Sequence, residues 1–201
     1  MRDTQTNNTQ LNDTQLNDTQ LNDTPLNDTQ PNDTQANKTQ PIDSQLKPKK
    51  VSDSETEQLR VVIYPDINGF GRLFGGRLLS WIDEVAGATA RRHCGRDATT
   101  VAIDNLYFKS GAYLNDMIVL IGKVTHVGHT SMEVRVDTYK EDADGTRHPI
   151  NRAYFVMVAM GDDGRPTAVP PLILENDGEK MEWENAEKRR SLRLMRQKEG
   201  F

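Results

Sequence analysis

One cysteine in 201 residues, Cys94, excludes an internal disulfide and suits a reducing compartment. No run of eighteen apolar residues occurs, so no stretch reads as a membrane-spanning helix. The first residues show neither an apolar signal core nor an Arg-rich amphipathic pattern, and the expectation is a soluble, cytoplasmic protein with no membrane partner. Positive charge is not in excess either. Lys and Arg number 25 against 30 Asp and Glu, interspersed, for a net charge of -5, so no basic face advertises nucleic acid. Aromatic residues are 6% of the whole and absent from residues 3 to 47.

That same stretch carries a repeat. Residues 3 to 47 divide into nine five-residue units, DTQTN, NTQLN, DTQLN, DTQLN, DTPLN, DTQPN, DTQAN, KTQPI and DSQLK. A pentapeptide solenoid needs a stacked apolar residue in every turn. Here that slot holds Thr, Leu, Pro or Ala from unit to unit, and Pro25, Pro31, Pro41 and Pro48 interrupt. Such a segment cannot offset the entropy of ordering it, so residues 1 to 50 read as a disordered tail with a short basic linker, and order is expected from about Glu57. Asn7-Asn8-Thr9 fits the glycosylation pattern, which has no meaning without secretion.

The folded part is organised around residues 66 to 95, DINGFGRLFGGRLLSWIDEVAGATARRHCG. Glycines at 69, 71, 75 and 76 feed a helix expected over 74 to 93, stopped by Gly95. Asp83 lies within its apolar stretch. One turn either way stand Leu79, Ser80, Ala86 and Gly87, and three of these four are small. With Leu78, Trp81, Ile82 and Val85 on the remaining faces, the helix reads as apolar nearly all round and therefore buried. A carboxylate there needs a partner or a task, because desolvation costs several kcal/mol. The glycine-rich start offers free N–H groups and the positive dipole end, about two turns from the acid. The plain alternative pairs Asp83 with Arg91, Arg92 or a neighbouring strand and uses the glycines only for close packing. A nucleophile-base reading of Cys94 with His93 is disfavoured, since adjacent helical residues point apart.

Strands are expected at 58–64, 99–108, 117–127, 131–137 and 151–160, the last apolar on both faces at its end. In 131–137 the residues alternate strictly, Met132, Val134 and Val136 inward and Glu133, Arg135 and Asp137 outward, so one sheet face is expected to meet water. Asp104 is a candidate second acid. A final helix over 179–198 has acids early and bases late, complementing its dipole, and its thin apolar stripe suggests that it lies against the domain. Its basic end either faces solvent or holds an anionic ligand. The outline is α+β, one long helix wrapped by about five antiparallel strands, plus the C-terminal helix. A single layer of this size leaves the Asp83 face and apolar strand edges uncovered, which predicts self-association.

These segments together resemble the hotdog-fold acyl-CoA thioesterases, the branch of small bacterial acyl-CoA hydrolases and the tandem-domain cytosolic enzymes of animals. The resemblance covers residues 59 to 198 and rests on GRLFGGRLLSWIDEVAGATARRHCG, with an Asp seven residues after the second glycine, and on TVAIDNLYF, HVGHTSMEV and PPLILENDGEKMEWENAEKRR. It implies a hotdog domain over 55–172 with the charged helix over 173–201. It further implies that Asp83 acts as general base on water or directly on the thioester carbonyl, with backbone N–H groups at Gly75 and Gly76 receiving the oxyanion. Losing one such donor typically costs about 3 kcal/mol of barrier. The substrate implied is acyl-CoA, with CoA as substrate and no cofactor or metal. The assembly implied is a homodimer with a site across two chains, joined as a trimer of dimers. One departure stands out. The tandem-domain enzymes carry an Asn four positions before the second glycine, where this chain has Arg72. Asn68 in the same loop is the substitute, and turn chemistry explains it equally. Arg72 is then a candidate for a CoA phosphate. His129, Thr130 and Ser131 match the segment lining the CoA channel, although turn formation accounts for them as well.

Two rival readings remain at this level. A hotdog dehydratase needs a His base ahead of the helix, whereas His93, His126, His129 and His148 all lie elsewhere. A non-catalytic acyl-CoA-binding or assembly module has no need of Asp83.

Overall fold

The computed structural model describes residues 46–104 and 106–200, within the compact unit Gln40–Phe201. Nearly all of the repeat segment, and Asn105, lie outside the described residues. In chain order the elements are β1 Lys49–Lys50, α1 Val51–Ser54, β2 Thr56–Val61, a 3-10 turn Tyr64–Asp66, α2 Gly75–Cys94, β3 Asp97–Ile103, β4 Met117–Val127, β5 Ser131–Glu141, β6 Arg147–Met160, β7 Leu172–Ile173 and α3 Asp177–Glu199.

Five strands form one antiparallel sheet in the order β2-β4-β5-β6-β3, and α2 touches all five. This is the hotdog arrangement, a helix held in a curled sheet. Its inner face comes from the period of two: Ile118, Leu120 and Val124 of β4, Met132, Val134 and Val136 of β5, and Ala153, Phe155 and Met157 of β6 are all buried. Against them α2 sets Leu78, Trp81, Ile82, Val85, Ala86 and Ala90. Each large side chain so buried contributes about 1.5–3 kcal/mol. Gly122 lets the layers close up, because a Cβ there would collide with Thr89 Oγ1 and stand 2.9 Å from Val85 Cγ1.

The helix is not apolar all round, as its sequence suggested. Gly76, Ser80, Asp83, Glu84, Ala88 and Arg91 form an exposed line opposite the buried stripe. Order also begins earlier than Glu57. Lys49–Lys50 pairs in parallel with β7, Lys50 Nζ meets Glu175 at 2.6 Å, and Val51 and Ser54 of α1 are buried. The expected basic linker is therefore partly strand, a feature too short to leave a periodic signal. β3 ends at Ile103 rather than near 108, after a bulge between Thr100 and Ala102.

The outer face of β5 does not meet water. Helix α3 lies over it, started by Asn176, whose side chain accepts from Glu179 N at 2.9 Å. Only Ala186 of α3 is buried. Much of the rest of the contact is ionic: Glu133, 2% exposed, meets Arg189 at 2.7 Å and Arg193 at 3.0 Å, and Glu182 meets Arg135 at 2.7 Å. His126 stacks on Trp183 with ring centroids 4.1 Å apart and meets Glu187 at 2.8 Å. These arginines of α3 neither face solvent nor await an anionic ligand, because the sheet's own acids occupy them. Alternation of charge along β5 has the same period whether water or a charged helix covers it.

Candidate active site

Helix α2 begins at Phe74, whose side chain provides no cap, and its first turn contains no acid. The first amides of α2 thus have no side-chain acceptor among the described residues, at the positive end of the dipole. The preceding loop is shaped by Asn68, whose Oδ1 accepts from Phe70 N at 2.9 Å and Arg72 N at 3.2 Å, and by Gly71 with φ of 71°. The turn chemistry expected of Asn68 is real. Gly76 has a separate reason to be glycine: a Cβ there would stand 2.6 Å from the Phe74 ring, which folds over the helix start. Next to Gly75 opens a cavity of about 330 Å³ lined by Asn68, Arg72, Leu78, Phe108 and Lys109 among others. Arg72 places its guanidinium 5.9 Å from the Tyr113 ring centroid and makes no ion pair among the described residues.

Asp83 stands on the exposed face of α2 with Gly76, Ser80 and Gly87 around it. Its Oδ1 accepts a 2.6 Å hydrogen bond from Thr100 Oγ1 of β3, and the same hydroxyl lies 3.2 Å from Met157 Sδ. Neither arginine near the helix end holds it. Arg91 meets Asp97 at 3.4 Å, and Arg92 donates to Glu55 O and Thr56 Oγ1. Asp83 is separated from Gly75 by eight residues of helix, about 12 Å along the axis. One thioester carbonyl therefore cannot reach both within a single chain. Thr100 escaped the sequence reading because a Thr in a β-rich run carries no pattern of its own.

The structure gathers Asn68, Arg72 and Gly75 around the cavity and leaves His129, Thr130 and Ser131 away from it. The hairpin backbone is spent on fold contacts: Ala159 N donates to Thr130 O, Val169 N to His129 O and Gly128 N to Ser131 O. Ser131 and Thr99 flank Val158 in register, which puts the hairpin about 10 Å from β3, on the Asp83 side. Asp104 is no second site acid, since Arg193 and Arg196 of α3 hold it. The histidines are also engaged elsewhere. His93 Nε2 lies 2.9 Å from Pro170 O, and burial holds its pKa below the ordinary 6.5. Burial pushes the Cys94 thiol up, and its Sγ bonds Arg96 O at 3.2 Å, so the two neighbours are structural.

Residues 70–145 match the thioesterase superfamily. A Bacillus subtilis protein described as an uncharacterized acyl-CoA thioester hydrolase is 36% identical over 121 residues, 59% of this chain and 70% of its own length. The rat cytosolic acyl coenzyme A thioester hydrolase is 29% identical over 157 residues, and the chain spans 41% of its length. Among solved structures, an apo-hexameric acyl-CoA thioesterase superposes with a TM-score of 0.72 at 38% identity, over 75% of this chain and 97% of its own. An acyl-CoA hydrolase from Staphylococcus aureus, in complex with butyryl coenzyme A, coenzyme A and coenzyme A disulfide, gives a TM-score of 0.72 at 31% identity over 76% and 93% of the two chains. Structures of that Staphylococcus enzyme also exist with alanine in place of an asparagine, an aspartate and a threonine, spaced fifteen and seventeen positions apart. Asn68, Asp83 and Thr100 have the same two spacings.

Proposed function

The chain belongs to the acyl-CoA thioester hydrolases of the thioesterase superfamily, and from that premise we propose that it cleaves acyl-CoA to CoA and a carboxylic acid at a site shared by two copies of itself. One copy supplies Asp83, steadied by Thr100. The other supplies the start of α2, where the N–H groups of Gly75 and Gly76 receive the oxyanion beside Asn68. Asp83 takes a proton from water as it attacks the carbonyl, or attacks the carbonyl itself. Either way the negative charge grows on the carbonyl oxygen, at the positive end of the partner's helix. Collapse of the tetrahedral intermediate breaks the C–S bond and releases the CoA thiolate, which takes up a proton; where Asp83 itself has attacked, water then hydrolyses the acyl–Asp83 anhydride to the carboxylic acid. Arg72, which has no carboxylate partner among the described residues, faces the CoA phosphates. The hairpin 129–131 borders the CoA channel from the Asp83 side.

The observation that carries this reading is Asp83 itself, bonded to a hydroxyl, with no cation paired to it among the described residues, and set among small residues on an exposed helix face. The free edge of β3 beside it exposes Val101 (52%) and Ile103 (43%), as expected of a strand that a second copy pairs. Leu59 (50%) and Val61 (46%) of β2 offer a further apolar surface, consistent with dimers joining as trimers. The hexameric relative supports that assembly. Among the described residues no helix is long and apolar enough to cross a membrane. We assign the enzyme to the cytoplasm, supported by the lone cysteine and by cytosolic relatives.

The test is release of free thiol from a panel of acyl-CoAs by the wild type and Asp83→Asn. Removal of a general base predicts a loss of about 10²–10⁴-fold in kcat. Undiminished hydrolysis in the variant removes Asp83 from its role, and no hydrolysis of any chain length by the wild type returns the chain to the binding-module reading.

A further inference from the structure

Asp104 sits just beyond the end of β3, and α3 grips it. Arg193 Nη1 is 2.6 Å from Asp104 Oδ2, and Arg196 Nη2 is 3.6 Å from Oδ1. The same Arg193 nitrogen is 3.0 Å from Glu133 Oε2 on β5, so one guanidinium ties the end of the edge strand to the middle of the sheet. The side chains of Asp104 and Arg193 are only 11% and 18% exposed, which shields the pair from the screening that weakens surface pairs.

From Asp104 the chain runs on to the cavity. Asp104 N donates to Tyr154 O at 3.0 Å, and Lys109 N donates to Ile150 O at 2.9 Å, so both residues are anchored to β6. Phe108, just before the second anchor, lies over Gly75, whose Cβ position is 3.7 Å from the ring. Phe108 and Lys109 both line the cavity at the start of α2. We propose that Arg193 is a positioning residue for the substrate: by fixing Asp104 it sets where Phe108 and Lys109 stand against the helix start. Helix α3, which reads as a charged appendage, is on this view part of the site's support. The proposal rests on the cavity being the acyl-CoA site.

Arg193→Ala, Arg193→Lys and Arg189→Ala in the full chain decide the matter, with butyryl-CoA kinetics and deuterium exchange at the Lys109 amide as two separate readouts. Arg189, on the same helix as Arg193, pairs with Glu133 of β5 and Glu182 of α3 but not with Asp104, so its loss loosens α3 while leaving the direct Arg193–Asp104 pair in place. Arg193→Ala is expected to raise KM about fivefold with kcat within about twofold, the pattern of impaired binding rather than chemistry, and to speed exchange at Lys109. Arg193→Lys recovers most of both, which a fold defect would not. Unchanged exchange and KM in Arg193→Ala overturn the proposal, as does an Arg189→Ala variant that matches it. A wild type inert toward every acyl-CoA defeats the enzymatic reading alone, and the exchange measurement still decides whether Arg193 anchors the wall.

Discussion

Thr100 Oγ1 donates to Asp83 Oδ1 at 2.6 Å, joining the edge strand β3 to the exposed face of α2. The hydroxyl occupies one lone pair of the carboxylate and leaves the other oxygen toward the open side. A base held in this way is aimed before substrate arrives, and that is where positioning of a catalytic group contributes to rate. Replacing Thr100 by Val is expected to lower kcat by about 10–100-fold with little change in melting temperature, whereas Thr100→Ser retains most activity. Steady-state kinetics of both variants, alongside thermal unfolding, check this. A Val variant as fast as wild type means that Asp83 needs no such support.

His93 predicts how stability responds to acid. It is fully buried, with Nε2 against Pro170 O and the charges of Lys49 and Asp53 acting on it, and burial lowers its pKa. The unfolded chain binds a proton near 6.5, where the folded chain does not. Stability from this group is complete above about 6.5 and declines as pH falls below it, by at most about 1.4 kcal/mol per pH unit. Melting temperature measured from pH 8 to pH 5 should fall more steeply for wild type than for His93→Gln. Parallel curves would show that the ring does not titrate with unfolding.

Truncation separates the repeats from the fold. Removing residues 1–45 is expected to leave melting temperature and turnover unchanged, because the repeats' sparse, proline-interrupted apolar residues are too few to build a core. Removing residues 1–54 also takes away the β1–β7 pairing, the bond from Lys49 Nζ to Arg92 O, and buried Val51 and Ser54. With Val51 alone contributing about 1.5–3 kcal/mol, the longer deletion should lower the melting temperature by several degrees. Differential scanning calorimetry of the two truncated chains distinguishes these outcomes.

The parts of this architecture legible in the sequence are those where one periodicity has one cause. Strand β4 occupies the residues expected of it, and α2 lies within one residue of its expected bounds because Gly95, at φ of 69°, ends it in the left-handed region. Where one pattern serves two structures, the sequence misleads. Glu133, Arg135 and Asp137 alternate outward as a wetted strand does, yet Glu133 and Arg135 pair with α3, and Asp137 is held by Arg135 and Arg152 of the sheet. The small residues around Asp83 read as a buried lining and instead mark an open face of the single chain. Asp104 reads as a site acid because a carboxylate beside a β-rich run looks the same whether or not an arginine far along the chain claims it. Thr100 carries no signal at all, since its role depends on which strand lands beside which turn of helix.

The distance along α2 between Gly75 and Asp83 reaches further than geometry. If the acid and the receiving amides of each ester belong to different polypeptides, two crippled parents, one without its carboxylate and the other with a spoiled helix start, must yield a working hybrid when mixed. Half the sites of every mixed pair are then intact and the other half doubly broken, so activity arises from partnership where neither homodimer has any.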